Sequence, residues 1–174
     1  APMDFSRPVH FAGGARDARF RTLDIGGGHV PCGRLFLCEH RTPELVWRPE
    51  WQRHANGAAA IAAVAVIAAD VAATAAAYEK IFDTRARGIA EGLLVETGAA
   101  PIAIVTDVSL GRRLPGVRTS ARPAPVMAAV FVRVGDRDRA ERRLRRAGLH
   151  PARMPDGSVA IGAAEAHGVA LVFG

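Results

Sequence analysis

The sequence predicts an α+β fold, with helices packed on one face of a sheet and the other face free to curve around a ligand. Three observations lead there. Apolar runs of strand length are bounded by turn residues, and two helical stretches each open on an aspartate. From residue 58 the order is β, α, β, β, loop, β, α, β, β, two similar half-units in succession.

A chain of 174 residues can bury one full core or two small ones. The apolar fraction of 49% is ordinary, but alanine supplies much of it, and one tyrosine, two tryptophans and seven phenylalanines add little bulk. Close packing of small side chains must therefore supply the cohesion. The formal charge is +6, carried by arginine, since Lys80 is the only lysine. Such a balance favours an anionic ligand, a nucleic acid or a membrane surface. A genome rich in arginine and alanine codons would give it too. Cys32 and Cys38 form neither a CxxC knuckle nor a disulfide framework, so cytoplasm is the default compartment. The longest apolar run, Gly57 to Ala69, is 13 residues, short of the roughly 20 that a bilayer span needs. The chain opens on Ala1 rather than methionine, which reads as a piece of something longer.

Residues 1 to 18 carry two prolines and a Gly-Gly pair and read as an irregular leading arm. Arg19 to Ile25 is a strand broken by Gly26-Gly27-Gly28, a plain turn rather than a phosphate cradle. Arg34 to His40 is the next strand, and period two places Phe36, Cys38 and His40 on one side. A proline and tryptophan segment with Trp47 and Trp51 leads to His54 and the turn at Asn56-Gly57. Ala58 to Ala69 reads as a strand, with a helix in competition because of its alanines. Asp70 caps a helix from Val71 to Phe82. Gly88 to Glu96 and Pro101 to Val108 are strands, and the arginine-rich Ser109 to Pro125 is a loop with enough positive charge to overhang an anionic ligand. Met127 to Val134 is a strand, Asp136 opens an arginine-covered helix stopped by Gly148, and a hairpin through Pro155-Asp156-Gly157 precedes the closing strand Val169 to Phe173.

Two histidines stand out. His40, beside an aromatic ring and a thiol, is either a metal ligand or general base, or a histidine hydrogen-bonded at a core edge. His54 either turns back to the same mouth or lies on the surface, and His167, after Glu165, has the same two readings. A metal site needs three or more converging side chains. Glu39, Glu91, Glu96, Glu165 and His167 are the further donors, without a dense signature such as HExxH. The helix from Arg137 to Arg146 is diluted by Asp138 and Glu141 and lacks interleaved aromatics, so it reads as a solvated face ahead of a nucleic-acid footprint.

The stretches HRTPELVWRPEWQRHANGA (His40 to Ala58) and AHGVALVF (Ala166 to Phe173) resemble the glyoxalase-like domain of the vicinal-oxygen-chelate superfamily, which also includes bleomycin-resistance proteins and dioxygenases. The resemblance implies βαβββ modules whose curved mixed sheets enclose a pocket, with helices on the outer face. It implies that residues 1–57 hold the closing strands of a first, incomplete module plus a joint, and that residues 58–174 form a second module. It implies a small-molecule enzyme, with metal-assisted lyase, isomerase or dioxygenase chemistry on vicinal oxygens, or a metal-free binding or sequestering protein of the same fold. A basic regulatory or nucleic-acid module is the remaining alternative. His40, with His54, would be catalytic, and His40 would hold a divalent metal ion. Phe36, Cys38, Trp47, Trp51, Asn56 and His167 would contact the ligand. The expected partners are a small, perhaps anionic, substrate and either a second copy or a missing N-terminal segment. Relatives that use a metal often place a histidine on a module's first strand and a glutamate on its last, and neither stands in the corresponding stretches here.

Overall fold

The structure is a computed structural model that describes residues 1–120 and 122–174. The chain divides into two compact units, Ala1–Arg53 and His54–Gly174.

The first unit is a three-stranded antiparallel sheet in the order β1 (Met3–Phe11), β2 (Gly14–Asp24), β3 (Phe36–His40). The leading arm expected over residues 1 to 18 is thus a hairpin, turned at Ala12-Gly13, with Gly14 opening β2 opposite Phe11. Met3, Phe5, Val9 and Phe11 recur at period two on β1, and Pro8 is tolerated because β1 lies at a sheet edge. A short 3-10 turn, Pro43–Leu45, follows. The fully buried apolar side chains among this unit's described residues are Ala18 and Leu45.

The second unit is built on β4 (Ala58–Ile67), α1 (Val71–Phe82), β5 (Arg87–Ile89), β6 (Gly92–Val95), β7 (Ile102–Val105) and α2 (Asp107–Arg113), followed by β8 (Val126–Val134), α3 (Arg137–Arg146), β9 (Ala152–Arg153), β10 (Val159–Ile161) and β11 (Ala170–Phe173). The alanine-rich run at 58 is a strand because branched Ile61, Val64, Val66 and Ile67 are spaced along it and Asp70 stops it. The Asp70 carboxylate accepts the Ala73 N–H at 2.8 Å and opens α1. Asp136 does the same for α3 through the Arg139 N–H, at 2.9 Å. The connection expected over Ser109 to Pro125 instead begins inside α2, capped by the Thr106 hydroxyl on the Ser109 N–H at 3.1 Å. Ala121, within the same connection, lies outside the described residues. The stretch Gly88 to Glu96 is not one strand but the hairpin of β5 and β6.

Eight strands form one sheet in the order β5-β6-β7-β4-β8-β11-β10-β9. β4 runs parallel to β7, β8 runs parallel to β11, and β4 and β8 pair antiparallel at the centre. Each half is therefore a βαβββ unit whose first strand lies beside its last, and the two halves join along their first strands.

The expectation of curved sheets enclosing a pocket is not met. Both sheets are open: the ladder of the large one ends at β5 on one side and β9 on the other, with no pairing between them, and the small one ends at β1 and β3. Neither closes or curls around an interior. Nor are the helices confined to one face. Val172 and Phe173 are neighbours on β11 and so point to opposite sides. Val172 packs with Leu110 and Leu114 of α2 and its loop, whereas Phe173 packs with Ala140 and Leu144 of α3. α1 lies against β6 and β7. Among the described residues no helix is long and apolar enough to cross a membrane.

Candidate functional site

The strand pairing of the second unit brings alanines into a row. Ala103 on β7 faces Ala65 on β4, Ala65 faces Ala129 on β8, and Ala129 faces Ala170 on β11. Four one-carbon side chains across the middle of a sheet leave its surface low. Leu110 and Leu114 fill part of that depression. The rest remains as a recess of about 550 Å³ on the α2 side of the sheet, within the range of roughly 300–1,000 Å³ usual for small-molecule pockets.

Its floor is apolar, with Ala63, Ala65, Ala103, Phe131 and Val172 among the residues that form it. Its rim is charged: Arg87, Arg113, Arg133 and Arg137 stand against Glu91 and Asp156. Arg113 donates to the Glu91 carboxylate at 3.1 Å, and its guanidinium lies 4.9 Å from the centroid of the Phe131 ring. Arg137 donates to the Asp156 backbone carbonyl at 3.2 Å. The Asp156 carboxylate accepts the Ser158 hydroxyl at 2.6 Å and the Ser158 N–H at 2.9 Å. These two bonds, the hydroxyl's first, hold its pKa below the usual carboxylate value, and the positive charges of Arg113 and Arg137 act in the same direction. Asp156 is therefore a settled anion at neutral pH and a poor proton acceptor.

Five of the residues singled out from the sequence, Phe36, Cys38, His40, Trp47 and Trp51, belong to the first unit. The His40 ring stacks on Trp47 at 5.4 Å between centroids and meets Phe20 edge-on at 5.1 Å, and Phe20 in turn stacks on Phe5. His40 and Trp47 are thus the predicted pair that the fold brings together. The His40 Nδ1 is buried and has no hydrogen-bond partner among the described residues. Phe36 and Trp51 are exposed, as is the thiol of Cys38, and Trp51 lies under the Arg48 guanidinium. In the second unit, Asn56 shapes the turn before β4, its side-chain oxygen accepting the Ala58 N–H at 3.1 Å. His54 closes the same turn through its carbonyl and has an exposed side chain. His167 is exposed in a left-handed conformation at φ 55°. His54, Asn56 and His167, which share the recess's unit, do not line it.

Among the described residues, His40 is not joined by the converging donor side chains that hold a divalent ion. Its ring is flanked by Phe20 and Trp47, and among the described residues no group of three or more His, Cys, Asp or Glu side chains is placed to share a metal. The four glutamates among the further donors are engaged with cations or a histidine: Glu39 with Arg41, Glu91 with Arg113, Glu96 with Arg87, and Glu165 with His150.

The recess residues were readable one at a time. Arg113 sits in the arginine-rich stretch expected to overhang an anion, and Phe131 and Arg133 alternate on β8. Their convergence depends on which strands become neighbours, and periodicity along a single chain does not carry that.

Residues 2–82 match the model of the family described as a glyoxalase-like domain. No curated protein sequence matches the chain. Among solved structures, methylmalonyl-CoA epimerase from Mycobacterium tuberculosis is similar at 18% identity, over 70% of this chain and 90% of that one, with a TM-score of 0.47. At that distance the likeness supports no inference about fold or ligand. The stretch from His40 to Ala58 that carries the family resemblance lies inside the matched region, and that from Ala166 to Phe173 lies outside it. Through residues 2–82, then, the chain carries a match to the glyoxalase-like domain.

Proposed function

We propose that this chain is a glyoxalase-like small-molecule-binding protein, a carrier or sequestering protein, whose ligand lies in the recess on the large sheet and is held without a metal ion. The observation that carries this reading is the part of the low sheet face that α2 leaves uncovered: Ala65, Ala129 and Ala170 are sealed, but Ala63, Ala103 and Phe131 keep partly exposed apolar surface that a small ligand can cover. The family match over residues 2–82 supports it, and so does the donor chemistry, which offers charged hydrogen-bonding groups rather than a converging ligand set. Metal-assisted lyase, isomerase or dioxygenase chemistry would need such a set.

The test is calorimetric titration with a bicyclic aromatic probe in two forms, neutral 2-naphthamide and anionic 2-naphthoate, before and after EDTA treatment. Saturable binding of at least one probe, unchanged by EDTA and weakened about tenfold by Ala103→Met, which fills the recess floor, is expected. Absence of saturable binding by both probes, or binding lost with EDTA, overturns the reading.

A further inference from the structure

We infer that the recess selects an amphiphilic organic anion, a flat apolar body carrying a carboxylate or phosphate group, and that Arg133 is the residue that receives the anionic group. The inference rests on the recess being the ligand site and adds the class of ligand.

Four arginines against two carboxylates leave the rim with an excess of two positive charges, and both carboxylates are already occupied. Glu91 is taken by Arg113 and Asp156 by Ser158. Three of the four arginines are likewise engaged: Arg113 with Glu91, Arg87 with Glu96 at 3.5 Å, and Arg137 with the Asp156 carbonyl. The Arg133 side chain has no ion pair or hydrogen bond among the described residues. A guanidinium offers five donors in a planar fork matched to a carboxylate or phosphate. Arg133 is the rim cation whose fork is left free.

Its position gives the ligand its shape. Arg133 is two residues beyond Phe131 on β8, so both leave the same face of the strand. Phe131 pairs with Ala63 on one side and Val172 on the other, across β4 and β11. A ligand lying over Ala63, Phe131 and Val172 therefore meets apolar floor along its body and Arg133 at one end. The Arg113 guanidinium already covers the Phe131 ring, so the ligand's body extends over the alanines rather than over that ring's centre. Because Arg133 is exposed, the contact is made at the mouth, where added salt screens it.

The two probes differ only in their charged group and so separate the inference from the reading beneath it. Affinity for 2-naphthoate should exceed that for 2-naphthamide by at least tenfold in 20 mM salt, and the gap should narrow in 500 mM salt. Arg133→Gln should remove most of the gap while leaving 2-naphthamide binding unchanged, and Arg146→Gln, on α3 away from the recess, should leave both unchanged. Equal affinity for the two probes overturns the anion inference and leaves the recess as a binding site. A gap that survives Arg133→Gln overturns the assignment to that residue. Binding of neither probe overturns both readings. A third probe, 2-naphthyl phosphate, separates the two sources of the anionic group: tighter binding than 2-naphthoate assigns a phosphate ester, and weaker binding a carboxylate.

Discussion

His40 shows what a single side chain can be in two settings. A histidine at the end of a strand beside aromatic and thiol neighbours suggests a ligand, yet here its ring serves as one layer of a stack with Trp47 and Phe20. A buried ring nitrogen without a partner costs about 1–3 kcal/mol. His40→Phe keeps the stack and removes the stranded nitrogen, so it should be neutral or raise stability by up to about 1 kcal/mol. His40→Ala removes two ring contacts and should lower it by about 1–3 kcal/mol. Urea unfolding midpoints measure both, and a large loss with phenylalanine would show that the nitrogen has an essential partner. Asp156 carries a prediction of its own. Its folded pKa is depressed, so its contribution to stability is present above the ordinary value near 3.8 and is lost as pH falls through the lower folded value. Ser158→Ala removes the main cause, and the melting temperatures of the two proteins should differ at pH 7 and converge at acid pH.

Among the elements, α3 is held by charge as well as by Ala140 and Leu144. Glu141 receives Arg145 from its own helix and Arg153 from β9, and these bonds, Arg145's first, hold its carboxyl below the usual value of 4.5. Glu141→Gln should lower the melting temperature at pH 7. By the sign of the shift, the difference should fade as pH drops below the ordinary carboxylate value, and a pH-independent difference would assign the loss to packing instead. The β5 and β6 hairpin depends on Gly92, where an added Cβ would sit 2.3 Å from the Ile104 carbonyl oxygen. Backbone cannot give way as a side chain does, so Gly92→Ala should cost about 1–3 kcal/mol or more, read from the same urea curves. The three helix caps illustrate what local chemistry determines. Asp70 and Asp136 announce α1 and α3 in the sequence, whereas Thr106 at the start of α2 is hidden by the arginines and prolines that follow it.

For the whole molecule, the two units differ sharply in what they bury. The second holds nearly all the described core, including Ile104, Val66, Val95 and Val159, while the first buries Ala18 and Leu45. Residues 54–174 expressed alone should therefore unfold cooperatively and bind the recess probes with affinity within about threefold of the full chain. Residues 1–53 alone should show little cooperative unfolding, since a three-stranded sheet with so small an interior is marginal. Circular dichroism melts of the two fragments test this, and an unfolded 54–174 fragment would contradict it.

The sequence by itself determined the elements wherever the signal is local. Asp70 ends a strand and opens a helix within a few residues, and Gly148 and the turn at Asp156-Gly157 punctuate the chain without reference to anything distant. The period-two pattern of β1 was equally local, though masked by Pro8 and by the flanking Pro2 and Gly13-Gly14. Only the tertiary structure decided which strands lie side by side, and so that the sheets stay open and that Ala65, Ala103, Ala129 and Ala170 form a single row. The physical reason is that a recess is a relation between residues far apart in the chain. An alanine looks the same in sequence whether it is sealed under a leucine or left as the floor of a site.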